Sequence, residues 1–186
     1  MEHKSNDSSI FKVAINLIGA CIISGLIIAT VFTLTAATAA EKLVEIKNSS
    51  LQSMVTEADT IKEIQGKPEW FEAMKNGKLI AYIVPAESKG YAGAVELLVA
   101  ISPDFKVMKY TITASKETPG LGDKAKDAPF AGQFVGKDAE HLEVTKDPSK
   151  TQLIQAISGS TITSRAVTKA VREAVEAVTA FAEGGK

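Results

Sequence analysis

From Val13 to Ala40 the chain carries no Asp, Glu, Lys or Arg. Roughly 20 apolar residues suffice to cross the hydrocarbon core of a bilayer. A segment in that core must satisfy its own backbone polar groups, so it spans as a helix. This one feature divides the 186-residue chain into a short leading segment, an apolar helix and a polar remainder large enough for one domain. Gly19, Ser24 and Gly25 give the helix small faces on which another helix can pack. A cleaved signal peptide is a competing reading, because Ala36 to Ala40 resembles a cleavage region, but its apolar core would be much shorter. Ile18-Gly19-Ala20-Cys21 loosely matches a lipid-attachment box, yet a long apolar run follows Cys21. We therefore read an uncleaved anchor with Cys21 as a buried small residue. Lys4 and Lys12 precede the anchor, while Glu41 and Lys42 follow it. The positive-inside rule then places the N-terminus in the cytoplasm and the bulk of the chain outside it. The expected divisions are a cytoplasmic segment 1–12, a transmembrane helix 13–40, a helical linker region 41–75 and a soluble domain 76–186.

The linker region is rich in Glu, Lys, Ser and Thr, and Gly66-Lys67-Pro68 interrupts it. Glu69 to Lys75 reads as a short helical turn, with Trp70 and Phe71 as core residues. Lys78 to Val84 is apolar and β-rich, and Pro85 is expected to end it. Ala94 to Ile101 and Lys106 to Thr113 read as two further strands. Ser102-Pro103-Asp104-Phe105 between them has the make-up of a type I turn, so the two strands form a hairpin. From Arg165 onward Val167, Val171, Ala174, Val175, Val178 and Phe181 recur at helical spacing. Strands followed by a helix predict an α+β domain with a mostly antiparallel sheet packed by helices.

Two stretches stand out for chemistry. Ser158-Gly159-Ser160-Thr161-Ile162-Thr163-Ser164 is a hydroxyl-rich turn running into the terminal helix. Its plainer reading is a helix cap. Its functional reading is an anion site, because free N–H groups and the helix dipole favour a phosphate there. Glu117-Thr118-Pro119-Gly120-Leu121-Gly122 turns tightly and exposes backbone to which a flat ring can come close. Read plainly, it is a surface loop. The rest of the composition argues by exclusion. Lys and Arg number 21 against 22 Asp and Glu, so no basic excess points to nucleic acid. One Cys and two distant His, His3 and His141, offer neither a disulfide framework nor a metal-ligand set. There is no dinucleotide fingerprint of the Gly-x-Gly-x-x-Gly type and no cysteine set for an iron–sulfur cluster.

Ser158 to Ser164 resembles the Ser-Gly-Ala-Thr-x-Thr-Ser signature of the FMN-binding domain, with Ser160 in place of the usual Ala and Gln155 where an Asp usually precedes the core. Glu117 to Gly122 matches that family's Glu-Thr-Pro-Gly-Leu-Gly in full. Lys89-Gly90-Tyr91-Ala92-Gly93 is similar to its Lys-Gly-Tyr-x-Gly, and Phe130 with Phe134 to Lys137 fall on its aromatic-to-Gly-Lys stretch. The domain occurs in the G subunit of Rnf ion-translocating complexes and in the C subunit of the sodium-pumping NADH:quinone reductase. The single anchor and compact length favour the first.

The resemblance implies FMN esterified through its phosphate to Thr161. It implies Ser158, Gly159, Ser160 and Thr163 around the phosphate and ribityl chain, and Thr118, Gly120 and Leu121 against the ring. Glu117 either touches the flavin or ties down its own loop. The protein would have no catalytic residue and no metal of its own, since the flavin carries the redox chemistry. The implied role is an electron-carrier subunit of a ferredoxin:NAD+ oxidoreductase coupled to Na+ or H+ movement. Its implied partners are the other membrane and peripheral subunits and a flavin transferase. Its implied location is the cell membrane, with the flavin domain extracytoplasmic. Two other classes stay open on the residues alone: a stand-alone membrane flavoprotein, and a non-redox membrane-anchored scaffold whose Ser/Thr turn is only a cap.

Overall fold

The computed structural model describes residues 7–184, without the side chains of residues 7–9 and 36–48, and divides into two compact units, Met1–Ser49 and Ser50–Lys186. Most of the first unit is helix α1 (Asp7–Met54), whose last turn belongs to the second. Within α1, Ile10–Thr35 is an apolar span of 26 residues with mean hydropathy 2.4, none of it buried inside the protein. The hydroxyls of Thr30, Thr33 and Thr35 donate back to Leu26, Thr30 and Val31 carbonyls at 2.7–2.9 Å. They need no outside partner in an apolar surrounding. Cys21, expected to be buried, is exposed on the surface of this apolar span. Residues 1–6 of the expected cytoplasmic segment lie outside the described residues.

In the second unit five strands form an antiparallel meander: β1 (Thr60–Glu63), β2 (Phe71–Lys75), β3 (Lys78–Lys89), β4 (Ala94–Ile101) and β5 (Val107–Ser115). This corrects the helical linker expected over 41–75. α1 stops at Met54, where the Lys109 ammonium donates to the Ser53 carbonyl at 2.9 Å, a cation at a helix C-terminus. The expected turn at Glu69–Lys75 is strand β2, with Phe71 and Ala73 buried and Glu72 and Met74 half-buried. That period of two is a strand signal. Lys75 pairs with Lys78 across Asn76-Gly77, both at positive φ (51° and 74°), which is the two-residue hairpin turn that Asn-Gly favours. β3 also runs past Pro85, where it was expected to stop. β2 pairs with β3 only as far as Ile83, so beyond it that side of β3 is a sheet edge, where a missing N–H is tolerated.

Alternation gives the sheet two apolar faces. Ala73, Ala81, Ile83 and Ala100 meet Leu51, Met54, Val55 and Ala58 from the end of α1 and the turn after it. Tyr82, Val84, Val95, Leu97, Val99 and Ile101 meet the long helix α3 (Thr161–Gly184), which buries Val167, Ala170, Val171, Ala174, Val175 and Val178. Between β5 and α3 the chain makes short helical turns, the helix α2 (Ala128–Ala131), and a parallel pair of two-residue strands, β6 (Val144–Thr145) and β7 (Ile154–Gln155). The architecture is α+β, as expected.

Phe134 fills the core edge-on to Tyr110 (4.9 Å between ring centres) and to Phe130 (5.3 Å). The Tyr110 hydroxyl donates to the Ala125 carbonyl, and burial pushes its pKa far above the usual tyrosine value. Tyr110→Phe orphans that carbonyl and is expected to cost about 1–3 kcal/mol, read by thermal unfolding. The folded chain holds this proton more tightly than the unfolded one. Its contribution is therefore intact below about pH 10 and is lost as pH rises beyond.

Candidate functional site

Three segments meet at the N-terminus of α3, and each is shaped by its own turn chemistry. Thr118-Pro119-Gly120-Leu121 closes with the Leu121 N–H donating to the Thr118 carbonyl at 3.1 Å, Gly120 sitting at φ 76°. Pro at the second position and Gly at the third make this a type II turn. Ile157-Ser158-Gly159-Ser160 closes in the same way, with Ser160 N–H to Ile157 O at 3.0 Å and Gly159 at φ 79°. The Gly90 N–H donates to the Gly93 carbonyl at 2.7 Å, folding the third segment around Tyr91 and Ala92.

Glu117 locks the three together. One carboxyl oxygen accepts from the Ala92 N–H at 2.9 Å and the other from the Thr163 hydroxyl at 2.5 Å. The residue is buried although Thr118 to Leu121, which follow it, are exposed. The two glycines beside it leave no room for a side chain. A Cβ on Gly90 would stand 2.4 Å from Glu117 Oε1, and one on Gly122 would stand 2.7 Å from Glu117 Oε2 and 2.9 Å from Thr163 Oγ1. Glu117 therefore ties down its own loop, one of the two roles open to it from sequence. The Thr163 hydroxyl is a strut to Glu117.

α3 begins earlier than the apolar periodicity suggests. Thr161 is its first residue, and the Ser164 N–H makes the first helical bond, to Ser160 O at 2.9 Å. The Ser164 hydroxyl also donates to Ser160 O and accepts from the Ile157 N–H, so it belongs to the turn's own framework. The N–H groups of Thr161, Ile162 and Thr163 precede the first helical bond, as in any helix N-terminus. The Thr161 hydroxyl is left with no hydrogen bond among the described residues.

These segments enclose a cavity of about 590 Å³, within the range of roughly 300–1,000 Å³ usual for small-molecule sites. Of the residues expected from sequence, Thr161, Gly159, Ser160, Thr163, Glu117, Thr118 and Leu121 line it. Ser158 and Gly120 shape the two turns without lining the cavity. Sequence reasoning missed Tyr91, Gly122, Ile162 and Lys146, which also line it. The first three sat inside or beside the recognised motifs. Lys146 carried no signal, since only the pairing of β6 with β7 brings it here. Phe130 and Phe134 serve the core. Beside them the Val107 N–H donates to the Lys137 carbonyl at 2.9 Å and the Gly136 N–H to the Val107 carbonyl at 2.8 Å, while the Lys137 ammonium holds the Gln152 carbonyl.

Residues 90–176 match the family model of the FMN-binding domain. Over all 186 residues, and the whole of its relative, the chain is 51% identical to the G subunit of a proton-translocating ferredoxin:NAD+ oxidoreductase complex from Clostridium ljungdahlii. It is 26% identical to the G subunit of an ion-translocating oxidoreductase complex from Methanosarcina acetivorans, over 95% of this chain and 98% of that one. Among solved structures, NqrC of Shewanella oneidensis is similar over 64% of this chain and 66% of that one, with 23% identity and a TM-score of 0.47. A match that runs the full length of both chains at half identity, with the motif-bearing turns inside the matched domain, places this chain in the family of Rnf-complex G subunits, electron-transport proteins built on an FMN-binding domain.

Proposed function

We propose that the chain carries FMN through a phosphoester to Thr161 and relays electrons between neighbouring subunits of a ferredoxin:NAD+ oxidoreductase complex that moves Na+ or H+. The observation that carries this reading is the Thr161 hydroxyl, without a hydrogen bond among the described residues, on a residue that lines the cavity and begins a 24-residue helix. An anion there meets free N–H groups and the positive end of the helix dipole. Neighbouring hydroxyls on Thr163 and Ser164 are engaged elsewhere, and the motif resemblance favours Thr161 over Ser158 and Ser160. Ser158, Gly159 and Ser160 would hold the phosphate end, and Thr118, Gly120 and Leu121 would bound the ring. Gly159 permits a close approach there, since a Cβ on it would stand 3.3 Å from Leu121 Cδ2. When bound, FMN supplies the acceptance and release of electrons. The chain's own part is to orient it, fix its phosphate and shield one side of it from water.

An apolar span and membrane-complex relatives fit a membrane-anchored protein. We place the N-terminus in the cytoplasm and the flavin domain outside, from Lys4 and Lys12 ahead of the uncharged run Val13 to Ala40, and assign maturation to a flavin transferase. The test uses the native protein from membranes. A denaturing gel viewed under ultraviolet light should show a fluorescent band, and mass spectrometry should find FMN on the peptide containing Thr161. A dark band with that peptide unmodified, in cells holding a competent transferase, would return the Ser/Thr turn to a helix cap.

A further inference from the structure

We propose that Lys146 is the charge partner of the phosphate in this site, a role that rests on the reading of Thr161 as the attachment point. Glu117 and Lys146 are the two charged side chains that line the cavity. Both oxygens of Glu117 are already engaged, by Ala92 and Thr163. Lys146 makes no ion pair or hydrogen bond among the described residues, so its ammonium is the uncommitted charge of the cavity lining.

The backbone puts that charge at the phosphate end. β6 and β7 run parallel with Thr145 opposite Gln155, so both chains leave the pair in the same direction. One exit is Lys146. The other is Ala156, which leads through the Gly159 turn to Thr161. The Ala156 N–H donates to the Thr145 carbonyl at 2.9 Å, holding the two exits side by side. The loop after Lys146 is also pinned. The Gln155 carboxamide donates to Asp147 O at 3.0 Å and Lys150 O at 3.2 Å, and the Asp147 N–H donates to Thr145 Oγ1 at 3.0 Å. A fixed backbone under a flexible ammonium suits a point-charge contact to a phosphate oxygen. An Asp at position 155 would lack the carboxamide N–H that donates to Asp147 and Lys150, so Gln155 helps to hold this loop.

The test uses the full chain produced with a flavin transferase, purified in detergent and mapped by lysine acylation and mass spectrometry. Lys146 is expected to react about threefold more slowly in the flavin-loaded protein than in unloaded Thr161→Val, with Lys124 unchanged as a control. In Lys146→Met the phosphorus resonance of the loaded protein should shift while the visible flavin spectrum stays put, and Lys146→Arg should restore it. Equal acylation together with an unmoved resonance overturns the assignment. So does a moved visible spectrum with an unmoved resonance, which would put Lys146 at the ring. A wild-type chain that carries no covalent flavin would instead bring down the Thr161 reading, and this assignment with it.

Discussion

Thr161→Val is expected to abolish covalent flavin completely while leaving the domain folded. Valine keeps the shape of threonine and removes the one atom through which a phosphoester can form. The hydroxyl has no partner within the described chain, so its loss strands no donor or acceptor. The change in stability should stay within about 0.5 kcal/mol. Val is also tolerated at the start of a helix that has ten buried positions further along to hold it. The band on a denaturing gel should go dark, the thermal melt of the unloaded proteins should coincide, and Thr161→Ser should recover part of the loading. Residual fluorescence in Thr161→Val at the wild-type level would move the attachment to another hydroxyl, Ser158 or Ser160 first, since Thr163 and Ser164 are engaged in the fold.

The second large effect is at Glu117. Glu117→Ala removes the acceptor of both the Ala92 N–H and the Thr163 hydroxyl in a buried position. Leaving such donors unsatisfied costs about 1–3 kcal/mol each. With a vacated space between three loops added, a loss on the order of 3 kcal/mol is expected, or roughly 10 °C in melting temperature. Flavin loading should fall with it, because the cavity walls are these same loops. Gly122→Ala attacks the same tie from the other side, since its Cβ would overlap Glu117 and Thr163. It should lower loading without removing any hydrogen-bonding atom. Glu117→Gln keeps an acceptor for Ala92 and should fall between wild type and Glu117→Ala. A Glu117→Ala protein that melts and loads like wild type would show that the three loops hold their places by packing alone.

Several parts of this architecture are legible in the residues alone. β4 and β5 are, because two apolar, β-rich runs on either side of a Pro-containing turn have few other solutions. α3 is, because its apolar stripe runs for several turns. β1 and β2 are not. They are short and charge-rich, and a helical composition masks a period of two that only the neighbouring strand makes decisive. Asn76-Gly77 was the overlooked signal. The extension of β3 through Pro85 is illegible for a different reason, since an edge exists only where a neighbouring strand happens to stop.

Read alone, then, the residues establish that an apolar helix precedes an α+β domain, and they single out the two turn motifs that line the cavity. Both rest on local chemistry: hydropathy over a membrane's thickness, and Gly, Pro and hydroxyl residues in turns. Tertiary structure alone decided what each motif residue does. Thr163 became a strut and Thr161 stayed free because Glu117, 46 positions away in the chain, reaches one hydroxyl and not the other. Lys146 joined the cavity because two two-residue strands happen to run parallel. Contacts between residues far apart in sequence depend on how the whole core packs, and no local pattern encodes them.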